Sequence, residues 1–166
     1  MTSSNVYLLR QGLNLLSQLD DEQYTRVASG ITHAAVGGHL RHCLDFYDAF
    51  LRGFTLGKID YDLRERNELI EKDRSAASAK IGQAIAQLQQ LPANQDKELL
   101  VKLEGEQAEN ASSWNRSSIP RELQFLLSHT VHHYALIAML LRLQGFQPAS
   151  DFGVAPSTLK YWQAKA

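Results

Sequence analysis

Apolar residues recur at intervals of three and four in four separated stretches of this chain, a spacing that selects amphipathic helices over the period-two alternation of strands. Val6, Leu9, Leu13 and Leu16 mark the first stretch, a helix over about residues 6–19 with Ser3, Ser4 or Asn5 as its N-cap. Val36, Leu40, Cys43, Tyr47 and Phe50 mark the second, over about 34–52, closed by Gly53 with another glycine at 57. The third, over about 74–91, carries Ala77, Ile81, Ala84, Leu88 and Leu91 and stops before Pro92. The fourth starts at Ser117 or Ser118, places Pro120 in its first turn and runs through Leu123, Leu126, Ile137 and Leu141 to Gly145.

What joins these stretches is equally informative. Residues 53–74 are polar and aperiodic, which suits a long crossover containing one short helical turn. After Lys97, Leu99, Val101 and Leu103 alternate with Leu100 and Lys102, so a short β-hairpin or a plain loop separates the third and fourth helices. The tail from Phe146 has two prolines and ends in an aromatic-rich segment, which folds back along the helices or docks on a partner chain. A chain of 166 residues is one domain, spanning 1–166. The expected fold is therefore all-α, a four-helix bundle with one long crossover connection.

Charge narrows the function. With 17 Lys+Arg against 18 Asp+Glu and no basic block, the chain has nothing with which to displace phosphate counterions, so a nucleic-acid partner is not expected. The longest apolar run, Tyr134 to Leu141, is far short of the about 20 residues needed to cross a bilayer, and no apolar secretion segment follows the N-terminus. A single cysteine, Cys43, forms no internal disulfide, which makes the cytoplasm the expected compartment.

Six histidines fall in two windows, His33/His39/His42 and His129/His132/His133. At about 100° per residue, Ala35, His39, His42, Phe46 and Ala49 share one stripe of the second helix, beside the apolar stripe. On the fourth, Leu126, His129, His133, Leu136 and Leu140 share a stripe, whereas His132 points about 100° away from His133. His129 and His133, one turn apart, thus present two imidazoles to the same side. Joined by a third imidazole from a facing helix, they suit a divalent ion with coordination positions left over. Bundle histidines that only hydrogen-bond to carbonyls or carboxylates are the plainer alternative. Thr130 stands where the glutamate base of the zinc-protease motif would be, which argues against peptidase activity. By helical wheel His39 lies nearer the centre of the buried arc than His42, so the third ligand is left open between them.

The segments GGHLRHCLDFYDAFL, IDYDLRERNELIEKDR, IPRELQFLLSHTVHHYALIAMLL and DFGVAPSTLKYW together make the chain resemble the DinB-like superfamily of metal-binding four-helix bundles, with its YfiT-type hydrolases and thiol-dependent transferases. The resemblance covers nearly the whole chain. It implies a metal site of His42, His129 and His133, with Asp45 three residues after His42 and His132 left out of the ligand set. It also implies a divalent ion such as nickel or zinc. His39 and His132 are then pocket or supporting residues, since ligating imidazoles commonly need a partner on their other nitrogen. Asp45 is either such a partner or a solvent-facing carboxylate.

Two functions compete. In the first, the ion activates a bound water or low-molecular-weight thiol for hydrolysis or thiol transfer to a small-molecule substrate. In the second, the chain is a non-catalytic metal-binding or stress-linked bundle that serves as a dimerisation module. Cys43 lies on the apolar stripe and reads as a buried small hydrophobe. Arg41, Arg64, Arg66 and Arg121 are candidates for an anionic substrate group, and Tyr47, Tyr61 and Tyr134 for pocket walls or core. No catalytic residue is assigned. A homodimer is expected from the Tyr161-Trp162 tail.

Overall fold

In a computed structural model, which describes residues 1–28, 33–92, 98–102 and 114–165, each of the four expected helices is present. They are α1 (Thr2–Leu16), α3 (Val36–Leu56), α5 (Arg74–Gln89) and α6 (Ile119–Leu143). Their apolar stripes meet in one core: α3 packs on α5 and α6, and α1 packs on the same two helices. Leu8, Leu9, Leu40, Phe50, Ile81, Leu123 and Ile137 are among the side chains sealed there. Burying each is worth about 1.5–3 kcal/mol.

Local chemistry sets the helix ends. Asp73 caps α5 by accepting from the Ser75 and Ala76 amides at 2.7 and 3.1 Å, and Ser118 caps α6 just before Pro120. The N-terminal reading is corrected: α1 starts at Thr2, ahead of Ser3, Ser4 and Asn5, and Asn5 is fully buried inside the helix. The end of α3 is corrected too. Gly53 does not close it; the helix continues for another turn to Gly57, whose φ of 75° forms the left-handed cap. Gly53 serves packing instead, because a Cβ there would come within 2.4 Å of the Lys58 carbonyl oxygen.

The mainly helical expectation holds, but with seven helices among the described residues rather than four, and with a small three-stranded sheet added. Its strands are β1 (Lys58–Asp60), β2 (Glu98–Lys102) and β3 (Trp114–Ser118). β2 and β3 pair antiparallel, with Leu100 opposite Arg116, which selects the hairpin over the plain loop. Residues 103–113 of that segment lie outside the described residues. β1, inside the crossover, pairs parallel with β2 and sets Ile59 opposite Val101. Ile59, Leu99 and Val101 turn into the core. The crossover also holds its expected short helix, α4 (Glu68–Lys72), while α2 (Asp21–Thr25), headed by a capping box of Asp20 and Gln23, is an addition.

The tail folds back. Phe152 stacks on Tyr134 with centroids 4.6 Å apart, and Asp151 accepts from the Tyr7 hydroxyl at 2.9 Å. Gly153 holds φ 74° where a Cβ would lie 2.7 Å from the Ala135 nitrogen. The terminal helix α7 (Pro156–Gln163) has no buried residue. Among the described residues no helix is long and apolar enough to cross a membrane.

Candidate metal centre

Packing of α3 against α6 turns the two histidine stripes towards each other. His42 from α3 and His129 and His133 from α6 come together, each offering a ligand atom, with all three atoms within 4.8 Å of one another. Ring centroids are 5.0 Å apart for His42 and His129, 4.7 Å for His42 and His133, and 4.6 Å for His129 and His133. Nitrogens sharing one divalent ion stand about 3–3.5 Å apart. An all-imidazole donor set of this kind suits a divalent transition metal. The three residues are half-buried, so the cluster is reachable from solvent.

Burial and neighbouring charge keep the His133 ring in the ligating form. Burial, followed by the proximity of His129, His42, His39 and His132, pushes the pKa of His133 down from 6.5 to about 3. His39 is lowered in the same direction, by burial first and His132 second. A neutral imidazole keeps a lone pair for a cation, and clustered cationic imidazoles would repel one another.

The structure brings His39 to the cluster as well. Its Nδ1 lies 3.0 Å from Nδ1 of His133, while His42 completes the set of three. His132, exposed, meets the edge of the His133 ring, with centroids 5.1 Å apart. Asp45 is buried rather than solvent-facing. Its carboxylate accepts from Arg41 Nη1 at 2.8 Å, and Arg41 Nε lies 3.2 Å from Glu71. Burial raises the Asp45 pKa against the opposing pull of Arg41.

An aromatic wall flanks the cluster. Phe46 lies 4.3 Å from His129 and 5.0 Å from His42, and Phe125 stacks on His129 at 5.6 Å, all between centroids. Tyr61 closes the wall against both phenylalanines and donates to Glu122 Oε2 at 2.8 Å. Arg64 covers Phe46, its guanidinium carbon 4.2 Å from the ring centre. Phe125 escaped the sequence reading, although its spacing of four from His129 and eight from His133 puts it on their stripe.

The remaining candidates sit elsewhere or serve the core. Thr130 is buried and donates to the Leu126 carbonyl at 2.7 Å. Cys43 is sealed in the interior, and burial pushes its thiol far above the ordinary range, so it is no nucleophile. Tyr47 and Tyr134 are core residues. Arg121 pairs with buried Glu122 at 3.1 Å, and Arg66 is exposed.

The sequence model of the DinB family matches residues 2–163. FK506-binding protein 5 of Rhizopus delemar is 33% identical over 106 residues, an alignment that takes in 62% of this chain. The chain spans about a quarter of that relative, 27% of its length. No solved structure matches.

Proposed function

The chain belongs to the DinB family, and from that premise we propose that it is a divalent-metal-dependent enzyme in which His42, His129 and His133 hold nickel or zinc. The reaction proposed is hydrolysis or thiol transfer on a small-molecule substrate. One observation carries this reading: three half-buried imidazoles from two helices meet within 4.8 Å, with a fourth beside them. An ion held there supplies Lewis acidity, which makes a water or a low-molecular-weight thiol nucleophilic near neutral pH.

The chain's own residues do the rest. His133, neutral down to about 3, keeps its lone pair available throughout the physiological range. Phe46 and Phe125 shield one side of the rings and exclude water there, which strengthens charge interactions on the open side. Neither Thr130, bonded to its own helix, nor Asp45, tied to Arg41, stands ready as a general base. The proposal includes a cytoplasmic setting and a homodimer. For the dimer, Tyr161 and Trp162, about half exposed on α7, offer apolar surface.

Metal analysis of protein produced with nickel, zinc, manganese and iron available tests the reading, coupled to X-ray absorption on the loaded protein. One equivalent of metal, three histidine ligands and a non-protein ligand that exchanges with added thiol support it. No stoichiometric ion, or a fourth protein ligand closing the site, overturns it in favour of a non-catalytic bundle.

A further inference from the structure

The contact between His39 and His133 joins two nitrogens of the same type, Nδ1 to Nδ1 at 3.0 Å, with centroids 5.3 Å apart and the rings inclined by 43°. Two neutral imidazoles bond in this way only when one carries its proton on Nδ1 and the other does not. A ligating imidazole has its proton on the nitrogen turned away from the ion, and that N–H ordinarily finds a carboxylate, a carbonyl or a water. Here the atom opposite His133 Nδ1 is another imidazole nitrogen. Asp45, the carboxylate that the sequence offered for such a role, is engaged by Arg41 at 2.8 Å. Among the described residues, the set able to share one ion is His42, His129 and His133, and His39 stands outside it.

We propose that His39 is a positioning residue for His133: its Nδ1 accepts the His133 Nδ1 proton, holding that ring with its Nε2 lone pair towards His42 and His129. The inference rests on the metal reading above. It fixes both tautomers, since His39 must then carry its proton on Nε2. It also gives the second histidine of α3 a task distinct from that of His42. The two are three residues apart on one stripe, so a single helix delivers one ligand and the support for another.

The substitutions His39→Ala, His39→Asn and His39→Gln test this, with zinc affinity read by chelator competition. Asn places its Oδ1 where the His Nδ1 sits, so it keeps the acceptor; Gln reaches instead towards the Nε2 position. The Ala and Gln variants are expected to bind zinc about 10–100-fold more weakly than wild type, whereas Asn stays close to wild type. Metal-free melting temperatures should agree among all four proteins. In the zinc-loaded wild type, nitrogen NMR should find His133 protonated on Nδ1 and His39 on Nε2.

Equal zinc affinity in His39→Ala and wild type overturns the inference alone, as does equal weakening by Asn and Ala. So does direct coordination of zinc by His39. Wild-type protein that binds no stoichiometric zinc overturns the metal reading and this inference with it.

Discussion

Two polar clusters lie side by side between α3 and α6, and α6 supplies them from neighbouring positions. Thr130 belongs to the inner one. Its hydroxyl lies 3.2 Å from that of Tyr47, which donates to Asn5 Oδ1 at 2.8 Å, and the Asn5 amide donates to the Leu123 carbonyl at 3.0 Å. These three side chains are fully buried, and the protein itself answers their hydrogen bonds. His129 belongs to the outer cluster, where half-buried imidazoles face one another and burial first, then the neighbouring rings, holds His133 neutral. The inner cluster is a finished piece of structure that ties α1 to the α3–α6 pair. The outer one brings three candidate ligand atoms within 4.8 Å of one another, an arrangement that suits a cation.

The sharpest way to break this contrast is to remove one member from each. His129→Ala or His133→Ala should weaken zinc binding beyond the about 10–100-fold typical of lost supporting contacts, while the metal-free protein melts near the wild-type temperature. Chelator competition and calorimetry read the two effects. A collapse of metal-free stability would show that the histidines are structural after all.

Asn5→Ala should do the reverse. It removes the acceptor of the Tyr47 hydroxyl proton and one donor to the Leu123 carbonyl, and should cost about 1–3 kcal/mol in urea unfolding, with zinc affinity unchanged.

Acidity gives a third separation. The folded pKa of His133 lies at about 3, below its ordinary 6.5, so on acidification the unfolded chain takes up its proton first. Stability of the metal-free protein should therefore fall as pH drops from about 6.5 towards 3, with His39 adding in the same direction. Protons compete for the same lone pairs, so the rise in melting temperature produced by zinc should shrink over that interval. A melting temperature that slopes less steeply across this range in His133→Phe than in wild type would assign the larger part of the effect to His133.

The smallest expected change comes from Cys43→Ala, which trims a buried, unreactive thiol. A loss of about 1 kcal/mol with metal binding intact fits the view of Cys43 as packing. Loss of bound metal would not.

Much of this was legible before any coordinates. The stripe Leu126, His129, His133, Leu136 fixes which imidazoles face the same way because side-chain direction repeats every 3.6 residues along a helix. The capping role of Ser118 and the start of α5 were written in local sequence as well. β1 was not: at three residues it is too short to show a period, and its partner β2 lies some forty positions later. Gly53 misled for a related reason. It resembles a helix terminator, and only the close passage of Lys58 explains a glycine kept inside α3.

By itself, the sequence determined four amphipathic helices, their histidine faces and the family to which the chain belongs. It left open which histidine of α3 joins the pair on α6, because His39 and His42 occupy nearly the same arc and a helical wheel carries no information about a neighbour. Only the tertiary structure separates their places. The approach of α6 across α3 sets His42 against both His129 and His133 and leaves His39 against one nitrogen of His133. Periodicity is a property of one helix, whereas convergence on a point depends on where two helices cross.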